Sequence, residues 1–352
     1  MKQKRNISYE GKQVFVGIDV HRLSYSISCL LEKELVFQGK FPADKVALVE
    51  FLSSRFKGSK LYTAYEAGFS GFVLHRYLEA NGMSNIVVNA SSIEISARDR
   101  VKTDKRDSLK LATQLVDGRL RCIAIPTLEQ ERKRLITRTR AQLIKERTRI
   151  RNQLRMKLNQ FEYLSVHFTG VLTYQRAEEI IKSIEEAELI VVTDEYLKLW
   201  KAIDTRIRKM DTELVNQAKA DKLEKVYRSA SGIGKVAARV LSNELGDMSR
   251  FPNERSLFSY TGLTPAEYSS GERRRQGHIS RQGSSRLRAI LIECAWTAIK
   301  QDSKLKMDFE RISSRAGGKR AIVAVARKLV GRIRAALRKG ELYKPGHSAA
   351  LA

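Results

Sequence analysis

Four acidic residues lie where mainly apolar segments end or where a helix is expected to begin. Asp19 and Glu66 each close a mainly apolar run, and Asp104 and Asp107 lie three residues apart at the start of a predicted helix. A carboxylate at the end of a buried strand costs free energy unless something pairs with it. Mg²⁺ takes such oxygen ligands together with substrate phosphates. The sequence therefore predicts a Mg²⁺ site, against the blander alternatives of a helix cap at Asp104 and a salt bridge at Asp107.

The chain is strongly basic. Its 352 residues contain 66 Lys and Arg against 39 Asp and Glu, a formal net charge of +27. This excess predicts a polyanionic partner, and because the basic residues cluster we expect nucleic acid rather than a merely solvated surface. No apolar run approaches the roughly 18 residues of a membrane-spanning helix. Residues 1–13 lack the apolar stretch of a signal peptide, so we expect no membrane partner.

The three cysteines, Cys29, Cys122 and Cys294, are isolated and odd in number. This arrangement argues against a disulfide framework or a zinc site and favours a protein of the reducing cytoplasm. We expect each cysteine to be a small core residue.

The first third of the chain has the pattern of a mixed α/β sheet. Strands are predicted at 14–19, 24–31, 35–41, 61–66 and 85–89, and helices at 45–56, 71–81 and 107–116. The second strand alternates, which predicts a half-buried strand with Tyr25, Ile27 and Cys29 on one face. Three strands followed by alternating helices and strands is the order of the ribonuclease-H-like fold. In that fold the first and fourth strands are neighbours, so Asp19 and Glu66 can face each other.

Two long helices are predicted next, at 128–161 and 194–219. The first has an apolar seam at heptad-like spacing: Ile136, Leu143, Ile150, Leu154 and Phe161. The second has a stripe at four-three spacing: Tyr196, Trp200, Ile203, Ile207, Met210 and Leu214. Such helices can pack as an antiparallel hairpin or pair between protomers, so we expect a coiled-coil segment. The first helix also carries many arginines, and Arg132, Arg138, Arg147 and Arg151 are predicted to bind nucleic acid rather than form only a solvated face.

The last third is predicted to be helical, with closing helices at 285–300 and 320–339. The turn at 232–234, Gly-Ile-Gly, resembles a helix-hairpin-helix bend, although a plain glycine turn explains it equally well. A Ser-Ser-Gly segment at 269–271 precedes a basic loop. A serine there could attack a phosphodiester, but from the residues alone an ordinary polar turn is the stronger interpretation. The basic residues predicted to bind nucleic acid are Arg273, Arg274, Arg275, Arg281 and Arg286.

Two sets of motifs resemble those of one family. The first set consists of residues 17–20 (Gly-Ile-Asp-Val), 65–68 (Tyr-Glu-Ala-Gly) and 102–108 (Lys-Thr-Asp-Lys-Arg-Asp-Ser). The second consists of 260–265 (Tyr-Thr-Gly-Leu-Thr-Pro), 269–271 and 277–283 (Gly-His-Ile-Ser-Arg-Gln-Gly), followed by Leu287 and Arg288. In this order they resemble a DEDD, RuvC-like domain and a C-terminal transposase domain. The chain is similar to the insertion-sequence recombinases related to Piv-type invertases, the bridge-RNA-guided IS110 family.

The resemblance implies roles for particular residues. Asp19, Glu66, Asp104 and Asp107 would be the acidic quartet that binds Mg²⁺, and Ser270 the nucleophile, with Ser269 as a second possible hydroxyl. It also implies donor and target DNA, a structured noncoding guide RNA, and a homo-oligomer, dimer to tetramer, on nucleic acid. In that assembly the acidic site of one protomer joins the serine of another, during action on the bacterial nucleoid. One departure is Ser231, where the family often has proline.

We therefore interpret the chain as α/β plus all-α. Residues 1–10 are predicted to form a polar tail, 11–125 a RuvC-like domain, 126–222 a helical coiled-coil segment, 223–340 a C-terminal transposase domain and 341–352 a tail. The predicted activity is DNA cutting and rejoining through a phosphoserine intermediate, guided by RNA. The alternatives are a RuvC-like, metal-dependent junction nuclease that uses water, and a nonenzymatic nucleic-acid-binding protein.

Overall fold

The computed structural model describes residues 8–94, 103–165, 167–268, 270 and 275–346. Contacts divide the chain into two compact units, Met1–Ile125 and Pro126–Ala352. The subdivision of the second unit at residues 222 and 223 stays a prediction. In the part of the chain that is described, no helix is both long and apolar enough to span a membrane.

The first unit contains the predicted mixed sheet. Its strands are β1 (Gln13–Val20), β2 (Ser24–Leu31), β3 (Glu34–Pro42), β4 (Lys60–Glu66) and β5 (Ser84–Val88), in the spatial order β3-β2-β1-β4-β5. β1, β2 and β3 pair antiparallel, whereas β1, β4 and β5 run parallel. The predicted neighbourhood of the first and fourth strands is confirmed. Gln13–Val20 and Lys60–Glu66 pair up to Ile18 and Tyr65, so Asp19 and Glu66 are the next residues on adjacent strands.

Three helices cover this sheet: α1 (Lys45–Arg55), α2 (Val73–Ala80) and α3 (Asp104–Val116). One face of the sheet holds an apolar core that includes Val16, Ile18 and Ile27. The prediction of a half-buried β2 is wrong, because Ser26 and Ser28, on its other face, are also buried. Helix α3 packs on this second face and excludes water from it.

The second unit is mainly helical. Its helices are α4 (Leu128–Gln160), α5 (Tyr174–Ile181), α6 (Ala187–Ala220), α7 (Glu224–Ser229), α8 (Lys235–Leu245), α9 (Glu254–Thr261), α10 (Ser285–Gln301), α11 (Ser303–Ala316) and α12 (Gly318–Lys339). A two-stranded antiparallel hairpin, β6 (Pro265–Glu267) and β7 (Gln276–Ile279), lies between α9 and α10. The largest apolar core of the unit is built from side chains of α8, α9, α10 and α12, among others.

Helices α4 and α6 pack against each other in antiparallel orientation. Arg140 Nε lies 2.5 Å from Asp211 Oδ1, and Arg147 Nη1 lies 3.1 Å from Asp204 Oδ1. The residue further along α4 pairs with the residue nearer the start of α6, so the two helices run antiparallel. The intrachain hairpin is therefore the alternative that this chain adopts. Phe161 departs from the predicted seam: it caps the C-terminus of α4 and is 46% exposed.

The Gly-Ile-Gly turn precedes α8. Gly232 has a φ of +76°, and a Cβ there would lie 2.3 Å from the carbonyl oxygen of Cys294 on α10. Only glycine fits both the backbone conformation and the close approach. Cys294 and Cys29 are buried as predicted, and burial raises the pKa of each thiol to about 12. The prediction is wrong for Cys122, which is exposed in the segment after α3.

Candidate active site

Helix α3 approaches strand β1 with almost no separation at Gly17. A Cβ on Gly17 would lie 2.0 Å from the carbonyl oxygen of Ser108 and 2.4 Å from the amide nitrogen of Ala112. The absence of a side chain allows backbone to meet backbone. Since Asp19 follows Gly17 on β1 and Asp104 begins α3, this contact brings the two carboxylates to one end of the sheet.

A buried polar network fixes α3 on the sheet. The hydroxyls of Ser28 on β2 and Ser108 on α3 are 2.8 Å apart, and both residues are fully buried. The Gln38 amide donates to Ser28 Oγ at 2.9 Å and to the carbonyl oxygen of Lys105 at 3.0 Å. Buried polar groups that are mutually satisfied specify one arrangement of the elements around them. Strands β2 and β3 thus both hold the first turn of α3 in place.

Three side chains converge at this end of the sheet. His21 Nε2 lies 3.0 Å from Asp19 Oδ2 and 3.3 Å from Asp104 Oδ1. One ligand atom from each of the three residues falls within 4.8 Å of the others. Asp104 is the first residue of α3, and the cap is Thr103, whose hydroxyl accepts from the amide of Arg106. Asp19 and Asp104 are two of the four predicted carboxylates, and together with His21 they form a cluster that could hold a divalent metal ion.

The environments of the two carboxylates differ. Burial raises the pKa of Asp19, and the nearby charges of Asp104 and Asp107 add to this effect, while His21 opposes it. A hydrogen bond from Lys40 lowers the pKa of Asp104, helped by His21. Asp104 and Asp107 both act on Asp19 as nearby negative charges, so the three aspartates make this region negatively charged. Such a region favours a cation.

Glu66 and Asp107 lie outside the three-residue cluster. Glu66 is exposed at the end of β4, one position past the residue that pairs with Ile18. Asp107 is one turn beyond Asp104 on α3, and its Oδ1 lies 3.9 Å from Lys110 Nζ. Both therefore flank the Asp19–Asp104 pair without completing a four-carboxylate group among the described side chains.

His21 was missed by sequence reasoning. It follows Asp19 by two residues, but its approach to Asp104 depends on the tertiary placement of α3. The only sequence signal is a potential nitrogen ligand just after a strand-end carboxylate, which is a common and weak pattern. The donor set of two carboxylates and an imidazole, with spacings near 3 Å, fits a small divalent cation.

The serine candidate lies in a different part of the chain. Ser270 is exposed and belongs to the segment that connects β6 and β7. The amide of Tyr268 donates to the carbonyl oxygen of Arg275 at 2.8 Å and closes this hairpin, and the Tyr268 side chain is 77% exposed. An exposed hydroxyl is accessible to a large substrate. Ser269, Arg273 and Arg274 lie outside the described residues.

Several predicted nucleic-acid-binding arginines make contacts within the protein. Arg138 binds Glu244 with two hydrogen bonds of 2.8 and 2.9 Å, and Arg286 Nη1 lies 3.5 Å from the same carboxylate. The Glu244 side chain is only 4% exposed, and these arginines, led by Arg138, hold its pKa below the usual range against the effect of burial. Arg147 pairs with Asp204 across the helix hairpin.

The other predicted arginines that the structure describes differ in exposure. Arg132, Arg275 and Arg281 are exposed, and Arg151 is half-buried on α4. Arg281 has a φ of +59° in the loop after β7. The basic surface of the described chain therefore includes arginines that pair with buried or interhelical carboxylates and arginines that are exposed to solvent.

A mixed sheet with strand-end aspartates, followed by a helical unit, is the architecture of a DEDD transposase. Residues 16–162 match the family model described as a transposase, the IS110-type DEDD domain, and residues 225–310 match the model of the transposase IS116/IS110/IS902 family. The chain belongs to this IS110/IS116 family of transposases, enzymes that cut and rejoin DNA.

Known relatives agree with this assignment. The putative transposase y4qE of Sinorhizobium fredii is 29% identical over 294 residues, which cover 81% of this chain and 72% of the relative. The putative transposase y4rJ of the same organism is 27% identical over 90% of both chains. The transposase of the insertion sequence IS1533 from Leptospira borgpetersenii is 25% identical, over 81% of this chain and 85% of the relative.

Proposed function

We propose that this transposase cuts and rejoins donor and target DNA through a phosphoserine intermediate on Ser270, assisted by Mg²⁺ at the acidic site and guided by a bridge-type noncoding RNA. The observation that carries the proposal is that Asp19 and Asp104, which are far apart in sequence, lie together in the structure. The rest of the chain is strongly basic, as a protein that binds nucleic acid would be. The exposed Ser270, inside the matched C-terminal family domain, supports the serine step. The site of action is the bacterial cytoplasm, on nucleoid DNA.

The acidic site supplies the metal ligands. Asp19 and Asp104 would hold the first Mg²⁺, and Glu66 and Asp107 would complete the site when DNA phosphate binds. A bound divalent cation supplies Lewis-acid stabilisation of the charge that develops on phosphoryl oxygens. The raised pKa of Asp19 has burial and neighbouring negative charge as its causes, both of which cation binding would relieve.

The serine step is a transesterification. Ser270 Oγ attacks the scissile phosphorus, the Oγ–P bond forms, and the bond from phosphorus to a sugar oxygen breaks. The number of P–O bonds is unchanged, because one forms as another breaks. The serine loses its hydroxyl proton and the leaving sugar oxygen gains one. The reverse attack by a sugar hydroxyl rejoins DNA without an external energy source. Flanking arginines, among them Arg275, would neutralise the phosphate.

Nucleic-acid binding and assembly are the remaining parts of the proposal. The charge of +27 is sufficient for extended contacts with the backbones of DNA and RNA. The proposed phosphate contacts are Arg132 and Arg151 on α4, with Arg275 and Arg281, which follow Ser270 in the chain. The hairpin of α4 and α6 is proposed to be a coiled coil that supports a dimer to tetramer on nucleic acid.

A covalent adduct tests the proposal. The full chain is incubated with end-labelled donor and target DNA, its copurifying RNA and Mg²⁺, and then separated on a denaturing gel. We expect labelled protein with the unchanged chain and with Ser269→Ala, and none with Ser270→Ala or Asp19→Asn. Sequencing the copurifying RNA tests guidance, since a guide must be complementary to both DNAs.

The outcomes separate the candidate functions. Cleavage without an adduct, retained in Ser270→Ala, would establish a RuvC-like nuclease that uses water. Nucleic-acid binding without any cleavage would establish a binding protein with an inactive fold. An adduct on Ser269→Ala that disappears in Ser270→Ala supports the serine assignment.

A further inference from the structure

His21 lies inside the acidic site although it is not one of the four acidic residues. Its Nε2 is 3.0 Å from Asp19 Oδ2 and 3.3 Å from Asp104 Oδ1, and it is 47% exposed. The imidazole thus faces both carboxylates with one nitrogen. A group in this position is either a hydrogen-bond partner of the aspartates or a ligand to the ion that they bind.

The spacing matches a coordination sphere. Ligand atoms lie about 2.1 Å from a small divalent cation, so neighbouring ligands of an octahedron are about 3.0 Å apart. Both separations that involve His21 Nε2 are close to this value, and the three ligand atoms fall within 4.8 Å. One cation can therefore contact all three residues with small side-chain movements.

The surroundings hold the three groups in this arrangement. The amide of His21 donates to the carbonyl oxygen of Ser24 at 2.9 Å, which closes the turn between β1 and β2 and fixes the base of the imidazole. Lys40 Nζ lies 3.3 Å from Asp104 Oδ2, so the other oxygen of Asp104 is the one that faces His21. Asp19 is restrained in strand β1. Each donor thus comes from an element positioned by backbone or side-chain contacts.

We propose that His21 Nε2 is a ligand to the metal ion held by Asp19 and Asp104, so that this transposase has a mixed nitrogen and oxygen metal site. The inference rests on the proposed metal dependence of the same site. Imidazole is a better ligand for transition metals than for Mg²⁺. The site therefore binds Co²⁺ and Mn²⁺ more strongly, relative to Mg²⁺, than four carboxylates alone would.

Pulsed electron paramagnetic resonance of bound Mn²⁺ tests this ligand directly. MnCl₂ is titrated into the full chain and into His21→Gln, His21→Asp, Asp19→Asn and the control His167→Gln, whose histidine is exposed in the second unit. Thermal unfolding in chelator checks that each variant folds. We expect coupling of Mn²⁺ to an imidazole nitrogen in the unchanged chain and in His167→Gln, and no such coupling in either His21 variant.

Competition between metals gives a second measure. Loss of a group that only orients a metal ligand reduces metal affinity about 10–100-fold. Loss of the ligand itself should therefore reduce the affinity for Co²⁺ at least about tenfold. Mg²⁺ affinity should fall less in His21→Gln, and His21→Asp should shift the preference towards Mg²⁺. A merely structural role of His21 would lower both affinities together.

The two proposals fail in different ways. If Mn²⁺ binds the unchanged chain and Asp19→Asn abolishes binding, but no nitrogen coupling is present or the coupling survives in His21→Gln, the histidine ligand is wrong and the acidic metal site stands. If the unchanged chain binds no Mn²⁺, with or without DNA, both the histidine ligand and the proposed metal dependence are overturned.

Discussion

Gly17 controls the distance between strand β1 and helix α3. Its missing side chain lets Ser108 and Ala112 approach through backbone atoms, which cannot rotate away as a flexible side chain could. The contact has a functional consequence, because α3 carries Asp104 to the side of Asp19. Packing at this position therefore influences the distance between the two carboxylates of the proposed metal site.

Gly17→Ala is expected to destabilise the first unit and separate the two aspartates. Overpacking of this kind costs about 1–3 kcal/mol, and more where backbone must move. The measurement is chemical unfolding together with Mn²⁺ affinity. Gly68→Ala is the matched control, because its Cβ would meet only the carbonyl oxygen of Glu66 at 3.9 Å. Equal stability of the two variants would show that α3 is not seated on Gly17.

Asp19 is expected to reduce stability when no metal is bound. Burial raises its pKa above the ordinary 3.8, so the folded state binds a proton more tightly than the unfolded state. The ionised carboxylate is therefore destabilising at neutral pH, and this penalty disappears as the pH falls through the raised pKa. Removing the charge should have the same effect as lowering the pH.

Asp19→Asn should accordingly raise the Tm in chelator by a few degrees, as changes of about 0.5–2 kcal/mol do. Mg²⁺ should raise the Tm of the unchanged chain and not that of the variant. Asp117→Asn is the control, since hydrogen bonds from Arg119 and Lys33 lower the pKa of that carboxyl and its removal should not stabilise. A lower Tm for Asp19→Asn in chelator would mean that its contact with His21 outweighs desolvation.

At the scale of elements, helix α4 uses its arginines in two ways. Arg138 and Arg134 converge on Glu244, and Arg134 also donates to the carbonyl oxygens of Asn243 and Glu244 at the end of α8. These contacts stabilise the end of α8, where unpaired carbonyls accumulate. Arg132 is exposed, with no ion pair among the described side chains. We therefore expect substitutions of the two kinds of arginine to have different effects, one on stability and the other on nucleic-acid binding.

Arg132→Ala should weaken binding to RNA and DNA of any sequence, reduce the salt dependence of binding by about one counterion, and leave stability nearly unchanged. Arg138→Ala should instead lower the free energy of unfolding by roughly 2–4 kcal/mol, because it removes the main partner of a buried carboxylate. Filter binding at several salt concentrations and urea unfolding measure both. The assignment is wrong if Arg138→Ala weakens binding while unfolding is unaffected.

Elements with strong local signals were predictable from the sequence. β1, β4 and α4 lie within one residue of their expected bounds, because apolar runs and heptad spacing mark them directly. Helix α3 begins at Asp104 rather than Asp107, since the Thr103 cap lies in a polar stretch without apolar periodicity. Helix α6 begins at Ala187, about two turns before the start predicted at residue 194. Helix α11 was missed altogether.

The candidate site was predictable only in part, for a physical reason. Asp19 and Asp104 are marked by strand-end and helix-start context, whereas His21 gains its meaning only when α3 packs on Gly17. The pairing of Arg138 with Glu244 likewise joins α4 to α8, and nothing local distinguishes it from the exposed Arg132. Contacts between distant segments decide which of several similar side chains remain for function.

At the scale of the whole molecule, we propose that the acidic site and the serine nucleophile come from different protomers. The acidic residues belong to the first compact unit and Ser270 to the second. Family resemblance implies that the acidic site of one protomer acts with the serine of another. Helices α4 and α6 also leave apolar side chains exposed, among them Met156, Val191 and Leu199, which a second copy could cover.

Mixing two inactive variants tests this arrangement. Asp19→Asn and Ser270→Ala are each expected to leave strand cleavage undetectable. If protomers share sites, a mixed assembly contains sites with Asp19 from the Ser270→Ala chain and Ser270 from the Asp19→Asn chain. Random assembly makes about a quarter of all sites intact, so adduct formation should return to roughly that level. The adduct must then form on the Asp19→Asn chain, which a size tag distinguishes on the gel. No recovery from a mixture shown by light scattering to be co-assembled would place the carboxylates and the serine of each site in one protomer.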